Sequence, residues 1–280
     1  MSRDRTKPRE ARSRRPGRGR GDRGQRDSRH AEETLVPGIR AIEALLTHDP
    51  RRIRTIRFAG ERDGARGRLL DRAEALGIET REVKAKALAE RLGELRTQGV
   101  VATVIPAEYR PWVELLEADT PLLLAVDQVT DPRNLGAMLR AAEAMGASGA
   151  LITSNRCARL GPTVTRTSAG ASELLPVAME TNLARALRDA RTAGLQVVGA
   201  DLDGRSPGEL DLSRPTVLVI GAEGRGLRRL TRQCCDAIAT IPLSGLTESL
   251  NAATAAAILI YEAARQRAGT ALAEKSPERS

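Results

Sequence analysis

TIPLSGLTESLNAATAAAILIYEAARQR, residues Thr240 to Arg267, is the stretch on which the reading of this chain turns. It starts as the β-branched end of a strand (Ile238, Thr240, Ile241) and halts at Pro242. A polar loop follows, carrying Ser244, Gly245, Thr247, Glu248, Ser249 and Asn251. From Ala252 to Tyr261 every residue but Thr254 is apolar, which predicts a buried helix. Arg265 and Arg267 suit the C-terminal end of that helix. A polar loop set against a buried helix is costly unless its hydroxyl and amide groups find partners. It is therefore either a capping loop, with Ser249 or Asn251 satisfying the first helical N–H groups, or one wall of a binding site.

Working outward, the residues upstream alternate between short apolar runs and helical stretches. Strands are predicted at Leu122–Val126, Ala150–Ile152, Leu175–Met179, Gln196–Ala200, Val217–Ile220 and Ala237–Ile241. Continuous runs such as PLLLAV and TVLVI indicate a parallel sheet covered on both faces. The loops at the C-terminal ends of such strands form the ligand site. Two of them stand out. Asp127–Arg140 leaves a strand, turns at Asp131-Pro132 and enters a helix near Asn134, read as its N-cap. Gly136 permits close approach, and Arg140 is placed near the Asn134 edge. Val217–Leu227, VLVIGAEGRGL, ends a buried strand in a loop of three glycines and one carboxylate, Glu223. Its pattern is G-x-E-G-x-G rather than G-x-G-x-x-G, and too few strands follow it for a dinucleotide-binding domain.

The 280-residue chain has room for two compact domains, and no apolar run approaches the roughly 18–20 residues that span a bilayer. Cys157 is solitary and Cys234 and Cys235 are adjacent, which suits neither a disulfide nor a metal site and points to a reducing, cytoplasmic compartment. The two histidines, His30 and His48, lie apart from the cysteines, so histidine catalysis and a metal centre are not expected. Residues 1–30 hold a net charge of +8 out of +9 for the whole chain. This Arg/Gly-rich tail, bounded at residue 33, is expected to be disordered and to draw RNA through its phosphates, or else to serve as a solubilising extension.

Residues 34–106 read as a small α/β unit. Helices are predicted at Gly38–Leu46, Arg66–Leu76 and Lys84–Leu95, with strands at Ile53–Phe58, Glu79–Val83 and Val100–Ile105. Arg51, Arg52, Arg54, Arg57, Arg62, Arg66 and Arg68 make it locally basic, as an RNA-facing surface or as solvated charge. Residues 107–118 are a linker whose Trp112 is expected to pack between domains. The second α/β domain spans 119–268, and 269–280 is expected to be a disordered tail.

Taken in order, strand–N-x-x-x-x-x-R, strand–GAEGxG and strand–IP…SLN–helix resemble the SpoU/TrmH family of RNA ribose 2′-O-methyltransferases, over about residues 119–267. SAGASELLPV (Ser168–Val177) also looks like that family. VPGI at 36–39 and TQGVVA at 97–102 resemble the small substrate domain of its 23S rRNA guanosine members. The resemblance implies an α/β fold, a parallel sheet with a trefoil knot, preceded by an RNA-binding domain. It implies S-adenosylmethionine as methyl donor, bound through Gly199, Ala200, Gly221, Glu223, Gly226, Ile241 and Leu250. Arg140 is implied to act at the ribose 2′-OH, with Asn134, Glu223, Ser249 and Asn251 positioning it and the ribose. The implied substrate is a guanosine of 23S rRNA, with a tRNA ribose or a non-catalytic RNA-binding role as alternatives. No metal and no membrane are expected. Family members pair through the C-terminal region, which implies a homodimer. The chain departs from the family pattern at Pro37, Thr97 and Ala253.

Overall fold

The computed structural model describes residues 34–92 and 98–274; the basic tail and Thr97 lie outside them. Its first half is built on a four-stranded sheet of β1 (Thr34–Pro37), β2 (Ile53–Phe58), β3 (Glu79–Glu82) and β4 (Val100–Val104), in the order β1-β4-β2-β3. The helices α1 (Ile39–His48), α2 (Gly64–Ala75) and α3 (Ala85–Leu92) accompany it. Ile42, Leu45, Ile56, Leu69 and Leu70 close its core. β1 is absent from the sequence reading because TLVP is too short to show alternation; its antiparallel pairing with β4 makes it a strand.

Residues 107–118 are not a free linker. The Arg110 N–H donates to the Val177 carbonyl, and α4 (Trp112–Leu116) follows. Trp112 is buried against one face of the second sheet, and its indole Nε1 donates to the Ala186 carbonyl at 3.0 Å. It therefore ties the connector to the second half rather than bridging two domains.

The second half is an all-parallel, six-stranded sheet. Its strands are β5 (Leu122–Val126), β6 (Gly149–Thr153), β7 (Val177–Glu180), β8 (Gln196–Arg205), β9 (Thr216–Ile220) and β10 (Ala237–Ala239), ordered β10-β8-β9-β5-β6-β7. All six predicted strands are present. The register aligns Ala200, Ile220, Val126, Ile152 and Met179 in one row near the C-terminal edge, so the loops that follow open on the same side. Helices α5 (Pro132–Ala144), α6 (Pro162–Thr167), α7 (Leu183–Thr192), α8 (Arg229–Gln233) and α9 (Ala252–Glu274) complete the layers.

Three expectations about helices are corrected. α9 continues to Glu274, six residues beyond the 268 boundary, because the strong helix formers Ala271, Leu272, Ala273 and Glu274 follow Gly269; residues 275–280 lie outside the described part. α9 is not buried all round: Ala252, Ala256, Leu259, Ile260 and Ala263 face the core, while Ile258 and Tyr261 are exposed. Arg267 does not serve a helix end. Its guanidinium donates to the carbonyls of Leu212, Thr120, Pro121 and Arg214, fastening α9 to two loops.

Candidate active site

The three loops singled out in the sequence meet at the C-terminal edge of the second sheet. α5 starts one turn earlier than the Asn134 cap requires. Asp131 is the N-cap, its carboxylate accepting the Arg133 N–H at 2.8 Å, with Pro132 at the first helical position. That frees the Asn134 side chain. Its Nδ2 donates to Glu223 Oε2 at 3.3 Å, and its Oδ1 accepts from Asn251 Nδ2 at 3.1 Å. Asn251 Oδ1 meanwhile caps α9, accepting the Ala253 N–H at 2.8 Å and the Thr254 N–H at 3.3 Å. The capping reading and the site reading of the last loop are therefore both satisfied by one residue. The departure at Ala253 leaves this cap intact, since its backbone supplies the donor.

Beside this chain of amides lies a cavity of about 450 Å³. Ala200, Gly221, Glu223, Gly226, Ile241, Ser249 and Leu250 line it, together with Glu248 of the polar loop and with Asp201, which the sequence reading did not single out. Gly199 does not line it. A Cβ there would meet Cys235 Sγ at 2.8 Å and Ile238 Cδ1 at 3.2 Å, so that glycine serves internal packing. Gly221 has a similar reason. Its missing side chain lets the loop fold back, with a Cβ falling 2.7 Å from the Leu227 nitrogen, and the Gly226 N–H returns to the Ala222 carbonyl at 3.0 Å. Two glycines on the cavity wall, Gly224 (φ 74°) and Gly226 (φ 61°), need a positive φ. These glycines bring chain against chain, which is a different cause from admitting a ligand.

Two ion pairs brace the walls. Asp127, its side chain fully buried, accepts from Arg228 Nε at 2.7 Å. Asp201 accepts from Arg232 Nη1 at 2.6 Å, which raises the Arg232 pKa chiefly through that hydrogen bond. Both acids follow directly on an apolar strand run, VD and GAD, a signal that was available in the sequence. Cys235, below the cavity, has its thiol pushed up to about 12 mainly by burial, so it is no nucleophile at neutral pH.

Arg140 stands apart. Six residues along α5 from Asn134 place it about 9 Å further on and roughly 120° around the helix. It is exposed and has no hydrogen-bond or ion-pair partner among the described residues. In the first half the basic patch also shrinks. Arg52 is engaged by Glu173, Arg57 by Thr103, Arg62 by Asp71 and Glu74, and Arg66 by Asp63. Arg51, Arg54 and Arg68 remain without partners among the described residues. No group of three or more His, Cys, Asp or Glu among those residues is placed to hold a metal, and no described helix is long and apolar enough to cross a membrane.

Known proteins are similar to this chain along both halves. Residues 121–261 match the SpoU rRNA methylase family, and residues 35–110 match the substrate-binding domain of RNA 2′-O ribose methyltransferases. The 23S rRNA (guanosine-2′-O-)-methyltransferase RlmB of Pseudomonas aeruginosa is 42% identical over 241 residues, 83% of this chain and 96% of its own. That of Shewanella oneidensis is 39% identical over 244 residues, 84% and 98% respectively. The SpoU methyltransferase AviRb of Streptomyces viridochromogenes, solved with AdoMet, has a TM-score of 0.68 at 30% identity, covering 88% of this chain and 95% of that one. Two family matches that between them span both halves, and relatives about 40% identical along nearly their whole length, place the protein in the SpoU family of S-adenosylmethionine-dependent RNA 2′-O-methyltransferases.

Proposed function

We propose that the protein methylates the ribose 2′-OH of a guanosine in 23S rRNA, and does so as a cytoplasmic homodimer. The observation that carries the reading is the Asn251–Asn134–Glu223 hydrogen-bond chain at the cavity wall. It joins Asn134 from the first turn of α5, Glu223 from the loop after β9 and Asn251 from the start of α9, so that three strand-end connections converge beside the cavity. The named activity of relatives about 40% identical supports the choice of RNA.

The residues present fit the methyl donor. Backbone of Gly221, Gly226, Ile241 and Leu250 offers the amide and carbonyl groups that a nucleoside needs. The carboxylates of Asp201, Glu223 and Glu248 match a ligand with positive charge. When bound, S-adenosylmethionine supplies an electrophilic methyl group on a sulfonium. The chain's task is to orient the ribose and manage the charge on its oxygen. Asn134 fixes one oxygen of Glu223; Oε1 is left without a partner among the described residues and is open to hold a hydroxyl. Arg140 is no general base, because a planar guanidinium offers donors and no acceptor. Its role is to grip the adjacent phosphate and stabilise the developing alkoxide. Ser249 is part of the wall, and Asn251, beside it, holds Asn134 toward the ribose.

Arg140, exposed and without a partner among the described residues, and the exposed Ile258 and Tyr261 on α9 support pairing of two subunits, each bringing charge to the other's site. A trefoil knot in the chain after β9 is part of the same reading. Its support is that the chain leaves β9 and returns past β8 to add β10 at the sheet edge, packed so closely that a Cβ on Gly204 would lie 2.8 Å from Ile238 carbon atoms. The test is methyl transfer from labelled S-adenosylmethionine to 23S rRNA, with the 2′-O-methyl position mapped and light scattering run in parallel. Saturable donor binding, one methylated guanosine and a dimer mass are expected. Donor binding without transfer to any RNA would remove the enzyme assignment, and a fully active monomer would remove the pairing.

A further inference from the structure

The segment Ser168–Val177 resembles the family yet contributes nothing to the cavity; it is where the two halves of the molecule meet. The Glu173 side chain is 3% exposed and its carboxylate is saturated. Arg52 donates to it from the substrate-binding domain, Ala107 N from the connector at 2.9 Å, and Thr165 Oγ1 from α6 at 2.9 Å. The same Arg52 guanidinium donates through Nε to the Ile105 carbonyl at 3.0 Å and through Nη1 to the Glu173 carbonyl at 2.9 Å. One acid and one guanidinium thus tie together both domains and the segment between them.

The contact around this clasp is close and apolar. Gly170 takes a left-handed conformation (φ 90°), and a Cβ there would fall 2.9 Å from Val36 Cγ1 and 3.0 Å from Ala41 Cβ. Leu174 packs on the core of the substrate-binding domain. Beyond it, Arg110 bridges to Ala178 and Trp112 is buried, so the connector has no slack. A buried ion pair is a weak source of stability, because desolvation offsets its attraction, but its directional hydrogen bonds tolerate one geometry only.

We infer that Arg52 and Glu173 are positioning residues that hold the substrate-binding domain at a fixed offset from the methyl-transfer site, so that the nucleotide modified is chosen by the span between the two. The inference rests on the proposed RNA methylation and deepens it. An RNA anchored on the first domain, where Arg51, Arg54 and Arg68 are available, would present only the ribose at that distance to the cavity.

Glu173→Gln tests this, since it keeps the shape and puts an amide NH₂ toward the Arg52 and Ala107 donors. Donor affinity should stay within about twofold, because the clasp lies outside the cavity. The KM for 23S rRNA should rise about tenfold or more, the scale on which misplaced reactants lose rate. Mapped methylation should spread to neighbouring nucleotides, and small-angle scattering, which does not depend on activity, should show a larger radius of gyration. Wild-type KM, a single methylated nucleotide and an unchanged scattering curve would overturn the inference. If donor binding is lost, the variant has not folded, and Arg52→Lys, which keeps the charge and loses the fork, decides by the same readings. If the unmutated protein methylates no RNA, the proposed function fails instead, and the scattering comparison still reports on the clasp.

Discussion

At the scale of single residues, Asn134 and Arg140 divide the work of α5. Asn134 is held on both sides by Glu223 and Asn251, whereas Arg140 is held by nothing in the described part of its own chain. Arg140→Ala should therefore leave donor affinity within about twofold and protein stability within ~0.5 kcal/mol, while single-turnover methylation falls on the order of 10²-fold. Near wild-type rates would move the assignment to Glu223 and Ser249. Arg140→Lys should recover little, since a point charge does not reproduce a planar fork. Asn251→Ala is expected to act twice: about 0.5–2 kcal/mol lost from the α9 cap in urea unfolding, and a fall in turnover as Asn134 loses its acceptor role. An unchanged turnover in a folded variant would show the chain of amides to be structural only. The misreading of Asn134 as a cap was avoidable. Pro132 fits the first helical position, which makes Asp131 the cap. Glu173 was not legible in the same way, because its partners lie 121 residues away at Arg52 and 66 away at Ala107.

At the scale of elements, sequence pattern carries the sheets well and their terminations poorly. LLLAV and TVLVI are continuous apolar runs, and both are strands buried at every position. The continuation of β8 from Ala200 to Arg205 is exposed and mixed in character. The Arg205 carbonyl, accepting the Thr240 N–H, holds that end through a long-range bond that no local pattern records. α9 illustrates the same limit. Its apolar run was plain, but the purpose of Arg267 was not, because the four carbonyls it serves come from the loops that lead into β5 and β9. Arg267→Ala is expected to destabilise the protein by about 1–2 kcal/mol, as four charge-assisted bonds, two of them part-buried, disappear together. Thermal unfolding with and without donor measures it. A shift no larger than that of Arg265→Ala, whose partner Glu262 sits on the surface of the same helix, would refute the fastening role.

At the scale of the whole molecule, charge and architecture are separated. Basic and acidic residues nearly balance after residue 30, and nearly the entire net charge belongs to residues 1–30. Deleting those residues should weaken RNA binding and flatten its salt dependence, by a slope of roughly 0.7–0.9 for each phosphate no longer neutralised, while donor affinity stays the same. An unaltered slope would make the tail a solubilising extension. The two-domain division was readable from the change of pattern near residue 119, and the family resemblance from three loops in order. The union of the halves was not readable. It depends on Arg52, Ala107 and Glu173 meeting in space, and residues 107–118 look like any polar connector until Trp112 is seen packed against Ala186.

That tryptophan has an optical consequence. It is the only one in the chain, it is 3% exposed, and no aromatic side chain lines the cavity. Its fluorescence should therefore be blue-shifted, stay constant as S-adenosylmethionine is titrated, and move to longer wavelength when the connector leaves α7. The protein thus carries a built-in optical probe of its own joint, blind to the chemistry at the other edge of the sheet.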